Sequence, residues 1–340
     1  IDKNGHETTY QYDLVNNLLD MTNPAGGKTS FTYDALNRLT KQTNPDGGTS
    51  FYKYDGVGNV IEMENPESGK WSYEFDAIGR NIKEVDPLMR ITEVVYDAVG
   101  NVVEITDPAG KKQTYTYDLL SRTTSETNQE DEQFNYSYNK VGNVIEIIDA
   151  LGYKTKYEYD EEGNLLSETD PLERINTYKY DELGRLIQQT DAKGYHTKWA
   201  YDKVGNVLSV MDAAGANWKY QYDPLNRIIK HTSPEGNVST YEYDEVGNLI
   251  KETDPMGYST TYQYNALDLL SSVKDALKGT VQYNYDNQGQ LLKQIDPNGN
   301  SRSWNYDLNG QVKTETNPLG NKTNYYYDLA GQVEKLVSPN

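Results

Sequence analysis

Aromatic and polar residues alternate over short stretches of this chain, and an aliphatic stretch follows each of them. Residues 258–264 are of the first kind, rich in Tyr and Thr with aromatic side chains two positions apart. Alternation with a period of two predicts a β-strand with one aromatic face and one solvated face. Residues 206–211 are of the second kind, β-branched and aliphatic, which predicts the returning strand of a hairpin.

This pair of stretches recurs with a fixed period of 21 residues. Steps of that length meet an Asp or Asn sixteen times without insertion or deletion, at Asp13, Asp34, Asp55, Asp76, Asp97, Asp118, Asn139, Asp160, Asp181, Asp202, Asp223, Asp244, Asn265, Asp286, Asp307 and Asp328. Such a period is typical of arrays in which each copy is one supersecondary unit. We therefore predict an all-β fold, a continuous antiparallel β-hairpin repeat array of 16 copies and about 32 strands.

Two kinds of turn separate the predicted strands. The first, here named the proline turn, has Asp254, Pro255 and Gly257 at its first, second and fourth positions. Asp at the first position caps its own backbone and Pro presets φ, so the pattern indicates a type I turn. Eleven of the twelve prolines occupy this one slot, as expected for residues that paired strands tolerate poorly.

The second kind, here named the hairpin turn, follows the aromatic strand. Tyr241 and Tyr243 precede it, Asp244 stands at its first position and Gly247 at its fourth. Where that glycine is absent, the slot holds Asn16, Asn37, Ser121, Asn226 or Asp268. Asn and Asp tolerate positive φ best among non-glycine residues, which predicts a left-handed residue there. We expect all these turn and tyrosine positions to be structural, with Asp244 as a cap and the two tyrosines as wall residues.

A ribbon of this length is expected to coil. Open twisted sheets rarely exceed about ten strands without curling, because adjacent strands rotate by about 20 to 25°. The array should therefore form a spiral, a tube or a hollow shell. We expect residues 1–340 to be a single array, cut within a repeat turn at both ends of a longer chain. Its open strand edges favour end-to-end association with the rest of its own chain or with neighbouring subunits.

The composition and net charge limit the classes of partner that we expect. Hydrophobic residues make up 36%, and 31 tyrosines imply that aromatic side chains supply most of the buried face. The net charge of −20 argues against nucleic acid and anionic membranes as partners. The chain has no cysteine, and it has no apolar stretch long enough for membrane insertion.

The string G-x-x-x-x-Y-x-Y-D-x-x-G-[NR]-[LV], present almost in full at residues 194–207 and 236–249, resembles the YD-repeat (RHS repeat) family. Members include bacterial RHS and wall-associated polymorphic toxins, shell proteins of insecticidal toxin complexes, and teneurins. The resemblance implies a β-sheet that spirals into a hollow shell, which in the toxin members encloses a C-terminal effector. We identify in this sequence neither a variable C-terminal toxin region nor a segment like the self-cleavage site. An open tube or a fibre is therefore an alternative to the closed shell.

Candidate chemistry is sparse. The sixteen Asp and Asn residues are equivalent, whereas catalytic carboxylates form a unique pair in distinct environments, so we interpret them as turn caps. The histidines, His6, His196 and His231, occupy different repeat slots and are expected at the surface without a metal site. We therefore predict no enzyme, no cofactor and no catalytic or metal-binding residue.

The sequence favours a structural, non-catalytic, extracellular scaffold that forms the wall of a shell, tube or fibre. Two alternatives remain open at this point. One is an adhesive module that binds cell-surface glycans by stacking on its Tyr and Trp ladder. The other is the shell segment of a polymorphic toxin that delivers a C-terminal effector, with an enclosed polypeptide as partner. The resemblance implies a secreted or cell-surface location in a bacterium or an archaeon.

Overall fold

The computed structural model describes residues 1–339, and these form a single antiparallel sheet of 32 strands. The strands are β1 (Thr9–Tyr12), β2 (Leu18–Thr22), β3 (Lys28–Tyr33), β4 (Leu39–Thr43), β5 (Thr49–Tyr54), β6 (Val60–Glu64), β7 (Lys70–Phe75), β8 (Asn81–Val85), β9 (Ile91–Tyr96), β10 (Val102–Thr106), β11 (Lys112–Tyr117), β12 (Thr123–Thr127), β13 (Gln133–Tyr138), β14 (Val144–Ile148), β15 (Lys154–Tyr159), β16 (Leu165–Thr169), β17 (Ile175–Tyr180), β18 (Leu186–Thr190), β19 (His196–Tyr201), β20 (Val207–Met211), β21 (Asn217–Tyr222), β22 (Ile228–Thr232), β23 (Val238–Tyr243), β24 (Leu249–Thr253), β25 (Ser259–Tyr264), β26 (Leu270–Lys274), β27 (Thr280–Tyr285), β28 (Leu291–Ile295), β29 (Ser301–Tyr306), β30 (Val312–Thr316), β31 (Lys322–Tyr327) and β32 (Val333–Val337). The predicted fold class is confirmed.

Each repeat is one hairpin whose two strands differ in their pairing. Across the hairpin turn, Tyr262 pairs with Val273 and Gln263 with Ser272, but Tyr264 pairs with Leu270. The register therefore shifts by one residue at the end of the aromatic strand, a β-bulge that increases local twist. Across the proline turn the pairing is regular, with Thr253 opposite Ser259. The bulge recurs in other hairpins, as between Gln11 and Tyr12 and between Thr116 and Tyr117.

Both kinds of turn end in a residue with positive φ. Twenty-two such residues are glycines and ten are not. The non-glycine members include Asn16 at 68° and Asp268 at 56° in hairpin turns, and Met89 at 63° in a proline turn. Gly247 has a φ of 114° and Gly257 a φ of 83°. Every turn thus reverses the chain through a left-handed residue, which glycine adopts without a steric penalty.

The sheet is one layer thick, and this changes the expected burial. The accessible surface is 21141 Å², whereas a compact protein of this mass would expose about 14,000 Å². No hydrophobic side chain of residues 1–339 is fully buried. In β25, Tyr262 and Tyr264 are half-buried and Gln263 is exposed. The alternation holds, but the expectation of a buried aromatic face is corrected to a half-buried one, because no second layer packs onto the sheet.

Contacts divide the chain into two compact units. Unit 1 consists of Ile1–Thr92 together with the segment that begins at Tyr241, and unit 2 is Glu93–Thr240. Within unit 1 the first and last segments lie edge to edge, which the two ends of a flat ribbon would not do. Residues 1–339 contain no helix that is long and apolar enough to cross a membrane.

Candidate functional site: the two rows of turns

The hairpin turn at Asp244 is held by one carboxylate. Oδ1 of Asp244 accepts hydrogen bonds from the backbone amides of Val246, Gly247 and Asn248 at 3.2, 2.8 and 2.7 Å. Its Oδ2 accepts the side-chain amide of Asn248 at 2.9 Å. The three bonds to Oδ1 satisfy backbone donors of the turn itself. Both carboxylate oxygens therefore help to shape the turn.

The proline turn at Asp254, at the other end of β24, is held by the same kind of hydrogen bond. Oδ1 of Asp254 accepts the amides of Met256 and Tyr258 at 2.9 and 2.8 Å. The amide of Gly257 donates to the carbonyl of Asp254 at 3.0 Å, and Pro255 occupies the second position. Five of the seven positions singled out in the sequence thus lie in two neighbouring turns, and the other two, Tyr241 and Tyr243, lie on β23, which leads into the hairpin turn.

In eleven of the aromatic strands the last tyrosine has a further contact that the sequence reasoning missed. The hydroxyl of Tyr264 donates to the carbonyl of Leu249, the first residue of a preceding strand, at 2.9 Å. The same bond spans fifteen residues at Tyr33, Tyr54, Tyr117, Tyr138, Tyr180, Tyr201, Tyr222, Tyr285, Tyr306 and Tyr327. Burial, helped by the charge of Asp244, raises the pKa of Tyr264. This hydroxyl ladder ties each hairpin to the one before it.

The fifth position of the hairpin turn also joins neighbouring repeats. Arg38 donates from Nε to Oδ2 of Asp34 at 2.7 Å and from its guanidinium to the carbonyl of Asp55 at 2.9 Å. The same guanidinium lies over the ring of Tyr54, 4.7 Å from its centroid. Hydrogen bonds from the backbone and side chain of Arg38 hold the pKa of Asp34 below its usual value, against the opposing effect of burial. Arg38 therefore joins its repeat to the next one by a hydrogen bond and by a cation–π contact.

In unit 1, two rows of turns meet and form a contact that we name the seam. The first row consists of the proline turns at residues 2–6, 23–27, 44–48, 65–69 and 86–90, and the second of the hairpin turns at residues 244–248, 265–269, 286–290, 307–311 and 328–332. Hydrogen bonds across the seam join Asn4 Nδ2 to Asp244 Oδ2 at 2.9 Å, Asn23 Nδ2 to the Asn287 carbonyl at 2.7 Å, the Leu308 amide to Glu67 Oε1 at 2.9 Å, and Arg90 to Gln332 Oε1 at 3.2 Å. The partners advance in the same order along both rows, with sequence separations between 240 and 264 residues.

The seam changes the electrostatics of Asp244. Burial raises the pKa of this carboxyl, but hydrogen bonds from Asn4, Asn248 and the backbone amide of Gly247 outweigh burial and hold the pKa at about 2. At Asp202, the equivalent residue of unit 2, burial is likewise outweighed by bonds from Asn206, and the pKa is also lowered. Asp244 has in addition the hydrogen bond from Asn4, which belongs to the first segment of unit 1.

The seam also brings together one cluster that the sequence did not suggest. His6 Nδ1 lies 3.2 Å from Oδ2 of Asp2 and 3.7 Å from Oδ1 of Asp268. One nitrogen and two carboxylate oxygens within 4.8 Å of one another could hold a metal ion. His6 is half-buried rather than at the open surface, which corrects our expectation for this histidine. Because Asp268 is distant in sequence, no spacing pattern could have revealed the cluster.

Concavities in the structure repeat with the turns. One of about 750 Å³ in unit 2 lies between neighbouring hairpin turns, with Asp160 and Asn164 on one side and Asp181 and Gly184 on the other. One of about 490 Å³ in unit 1 lies between the hairpin turns at Asp286 and Asp307, and Asp46 and Glu67 of the first segment also line it. These are notches of one repeated type, lined by turn residues and by the strands that adjoin them.

Comparison with known families agrees with this architecture. The sequence profile of the family described as Teneurin YD-shell matches residues 120–265 and 179–337, which together cover more than half of the chain. The chain belongs to the YD-repeat family. The profile described as RHS Repeat also matches, at residues 12–49 and 96–130. No curated protein matches this YD-repeat chain.

Solved structures share the fold. The crystal structure of TcdB2-TccC3-TEV has a TM-score of 0.82 at 13% identity, over 98% of this chain and 22% of that one. A Photorhabdus luminescens Tc holotoxin pore with a TccC3 mutation has a TM-score of 0.71 at 14% identity, over 98% and 21%. TcdB2-TccC3 without its hypervariable C-terminal region has 0.74 at 15%, over 96% and 21%. This YD-repeat chain spans about a fifth of the length of these solved chains.

Proposed function

We propose that this chain is a structural, non-catalytic segment of an extracellular YD-repeat wall that encloses another polypeptide. The observation that carries the proposal is the seam. Two rows of turns that are distant in sequence lie edge to edge through hydrogen bonds such as that from Asn23 to the Asn287 carbonyl. A single-layer sheet that bonds to its own edge can grow into a continuous wall, and walls of this kind separate an inside from an outside.

The use of the acidic residues supports a non-catalytic role. Asp13, Asp97, Asp202 and Asp286 each accept backbone amides of their own turn, as Asp244 does. A catalytic acid or base has to be one of a kind, with a pKa tuned away from those of its neighbours. Carboxyls that accept the same backbone amides in one turn after another serve architecture.

A specific observation keeps the glycan-binding alternative in view. The tyrosines of the hydroxyl ladder use their hydroxyls to bond the preceding repeat, but Tyr153 and Tyr195 of unit 2 are 55% and 60% exposed. Both stand at the fifth position of a proline turn, and exposed aromatic rings with free edges can stack on sugars. Binding on a glycan array that is lost on Tyr153→Ala and Tyr195→Ala would favour adhesion over enclosure.

The toxin alternative is a special case of the proposed wall. It is supported by the fold likeness to TcdB2-TccC3, one structure of which is described as lacking a hypervariable C-terminal region. In that case the enclosed polypeptide would be an effector that follows the array in the same chain. The chemistry of the repeats is the same in either case, so the two differ in cargo alone.

Electron cryomicroscopy of the purified chain tests the proposal directly. We expect a curved β-wall around a solvent-filled space, with far-ultraviolet circular dichroism free of helix. Flat ribbons, or particles with substantial helix, would contradict it. Immunodetection of the protein in the culture fluid and on intact cells of the source organism, against the cytosolic fraction, tests the extracellular location.

A further inference from the structure

Glycine usage in this chain has one component that backbone conformation does not require. Of the 27 glycines, 22 have positive φ and close a turn. The remaining five, Gly27, Gly48, Gly56, Gly69 and Gly279, have ordinary φ. A glycine at such a position costs conformational entropy without relieving strain, so another reason has to account for it.

Three of the five lie on the seam at equivalent positions. Gly27, Gly48 and Gly69 are the fifth residues of three successive proline turns. They and Ser167 are the only buried residues among 1–339. In a single-layer sheet whose other residues, apart from Ser167, all reach solvent, burial of three glycines marks the place of closest approach between segments.

The group that buries each glycine is a backbone carbonyl of a hairpin turn. A Cβ atom on Gly48 would lie 2.8 Å from the carbonyl oxygen of Leu308, closer than real Cβ contacts. Cβ atoms on Gly27 and Gly69 would clash in the same way with the carbonyls of Asn287 and Leu329. All three carbonyls belong to the residue after the turn Asp, so the fit repeats with the 21-residue period on both sides.

The first position of the same three turns holds the same residue type, and in the first turn its side chain binds that carbonyl. It holds Asn23, Asn44 and Asn65, whereas most proline turns have Asp there. Oδ1 of Asn23 accepts the amide of Gly27 at 2.8 Å, and its Nδ2 donates to the Asn287 carbonyl at 2.7 Å. An ionised Asp caps the turn equally well but has no proton to donate. Asn at the first position and Gly at the fifth occur together in these three turns alone.

These contacts solve a problem that the exact repeat creates. Because both rows have the same 21-residue spacing, sliding one row by a repeat leaves the backbone geometry almost unchanged, and only non-repeating side chains can select a register. The turns that flank the three glycines have His6 and Arg90 at the fifth position. After a slip by one repeat, one of these side chains would occupy the space that a glycine leaves for the carbonyl.

We infer that Asn23, Gly27, Asn44, Gly48, Asn65 and Gly69 form a docking strip that receives the hairpin turns at residues 286–290, 307–311 and 328–332 of the same chain and selects their register. The recognised group is a backbone carbonyl, which the missing Cβ admits in all three turns and which the side-chain amide of Asn23 bonds in the first of them. The inference concerns how the wall closes on itself and does not depend on what the wall encloses.

Hydrogen exchange of the full chain, measured by mass spectrometry, tests the docking strip. We expect Gly48→Ala to speed exchange in the hairpin turn at 307–311, where the Leu308 amide donates to Glu67 Oε1 at 2.9 Å, by roughly tenfold or more, because overpacking forces the rows apart. Gly279→Ala is the matched control, since a Cβ there would meet the side chain of its own Asp275 and no carbonyl of another segment. Equal exchange in both variants would overturn the inference.

A second pair of variants guards against misfolding of the first. Asn23→Asp keeps the turn cap but removes the donor to the Asn287 carbonyl, and we expect faster exchange in the turn at 286–290. Asn317→Asp is its control, because Asn317 also caps a proline turn through the amides of Leu319 and Asn321 at 3.0 Å. If exchange at 286–290 is the same in both variants, Asn23 has no docking role and the strip is wrong.

Discussion

Two notches between hairpin turns show how the same repeat serves in different surroundings. The notch between Asp160 and Asp181 in unit 2 is lined by those two turns and their strands. The notch between Asp286 and Asp307 in unit 1 has the same walls, but proline turns of the first segment reach it through Asp46 and Glu67. The local structure is equivalent, and the neighbour alone differs. The repeats of this chain therefore share one internal structure and differ in what their turns contact.

The largest effect is expected where the internal architecture itself is broken. Gly247→Val places a β-branched residue at a φ of 114° in a turn on the seam, and Gly205→Val at 102° in a turn of unit 2. We expect each to destabilise its own hairpin by about 2 kcal/mol, because the penalty is one of backbone conformation. Hydrogen exchange within each hairpin measures the loss. A large loss at one site and none at the other would mean that the two turns are not equivalent.

Removal of one rung of the hydroxyl ladder should have a smaller effect that is also the same in both units. Tyr264→Phe removes the bond to the Leu249 carbonyl at 2.9 Å, and Tyr201→Phe the bond to the Leu186 carbonyl at 2.7 Å. We expect a loss of about 1 kcal/mol in each case, measured by urea unfolding. Tyr326→Phe, at a tyrosine that is 50% exposed, is the control and should change little. A loss as large in the control would show that the ladder bonds are not responsible.

Relief of turn strain should give a modest gain in stability. Met89 has a φ of 63° in a proline turn on the seam, and Glu173 a φ of 59° in a proline turn of unit 2. Glycine removes the steric cost of the left-handed conformation but adds chain entropy, so we expect Met89→Gly and Glu173→Gly to stabilise by about 0.5 to 1 kcal/mol each. Thermal unfolding checks both. Destabilisation by Met89→Gly alone would reveal a seam contact of the Met89 side chain.

The smallest expected effect is a change in the acid titration of Asp244 that its equivalent in unit 2 should not show. The pKa of Asp244 lies at about 2 instead of 3.8, so its ionised form stabilises the fold fully above about pH 4, and this contribution is lost as the pH falls through 2. In Asn4→Ala we expect the titration midpoint of Asp244, followed by NMR, to move up, since the bond across the seam is gone. The midpoint of Asp202 in unit 2 should not move. An unchanged Asp244 would show that Asn4 does not reach it in solution.

The sequence predicted the strands well because the relevant physics is local. Alternation places Tyr262 and Tyr264 on one face, and an Asp at the first position of a turn accepts the backbone amides two to four residues ahead. The tyrosine hydroxyl bond was missed, since its acceptor, as in the pair Tyr264 and Leu249, lies fifteen residues away in an adjacent hairpin. A regular offset of Tyr and Leu or Val in each copy was the available signal, but both residue types had a sufficient explanation as strand formers.

The seam was beyond sequence reasoning for a different reason. Which proline turn meets which hairpin turn depends on the twist summed over many strands, and a small error in twist per strand shifts the meeting point by whole repeats. Asn4 with Asp244, and His6 with Asp268, therefore had no sequence relation that could be read in advance. The sequence shows glycine at positions 27, 48 and 69, but no sequence pattern indicates which carbonyls pack against them.

The amino-acid sequence by itself determined the hairpin, the turns and their order, because each rests on contacts within about one repeat. The tertiary structure alone decided which edges meet, which carboxyl has its pKa lowered by a distant amide, and why three glycines without positive φ stand where they do. An exact period carries no information about register, since every copy offers the same backbone. Only the folded chain shows which exceptions to the period lie opposite each other.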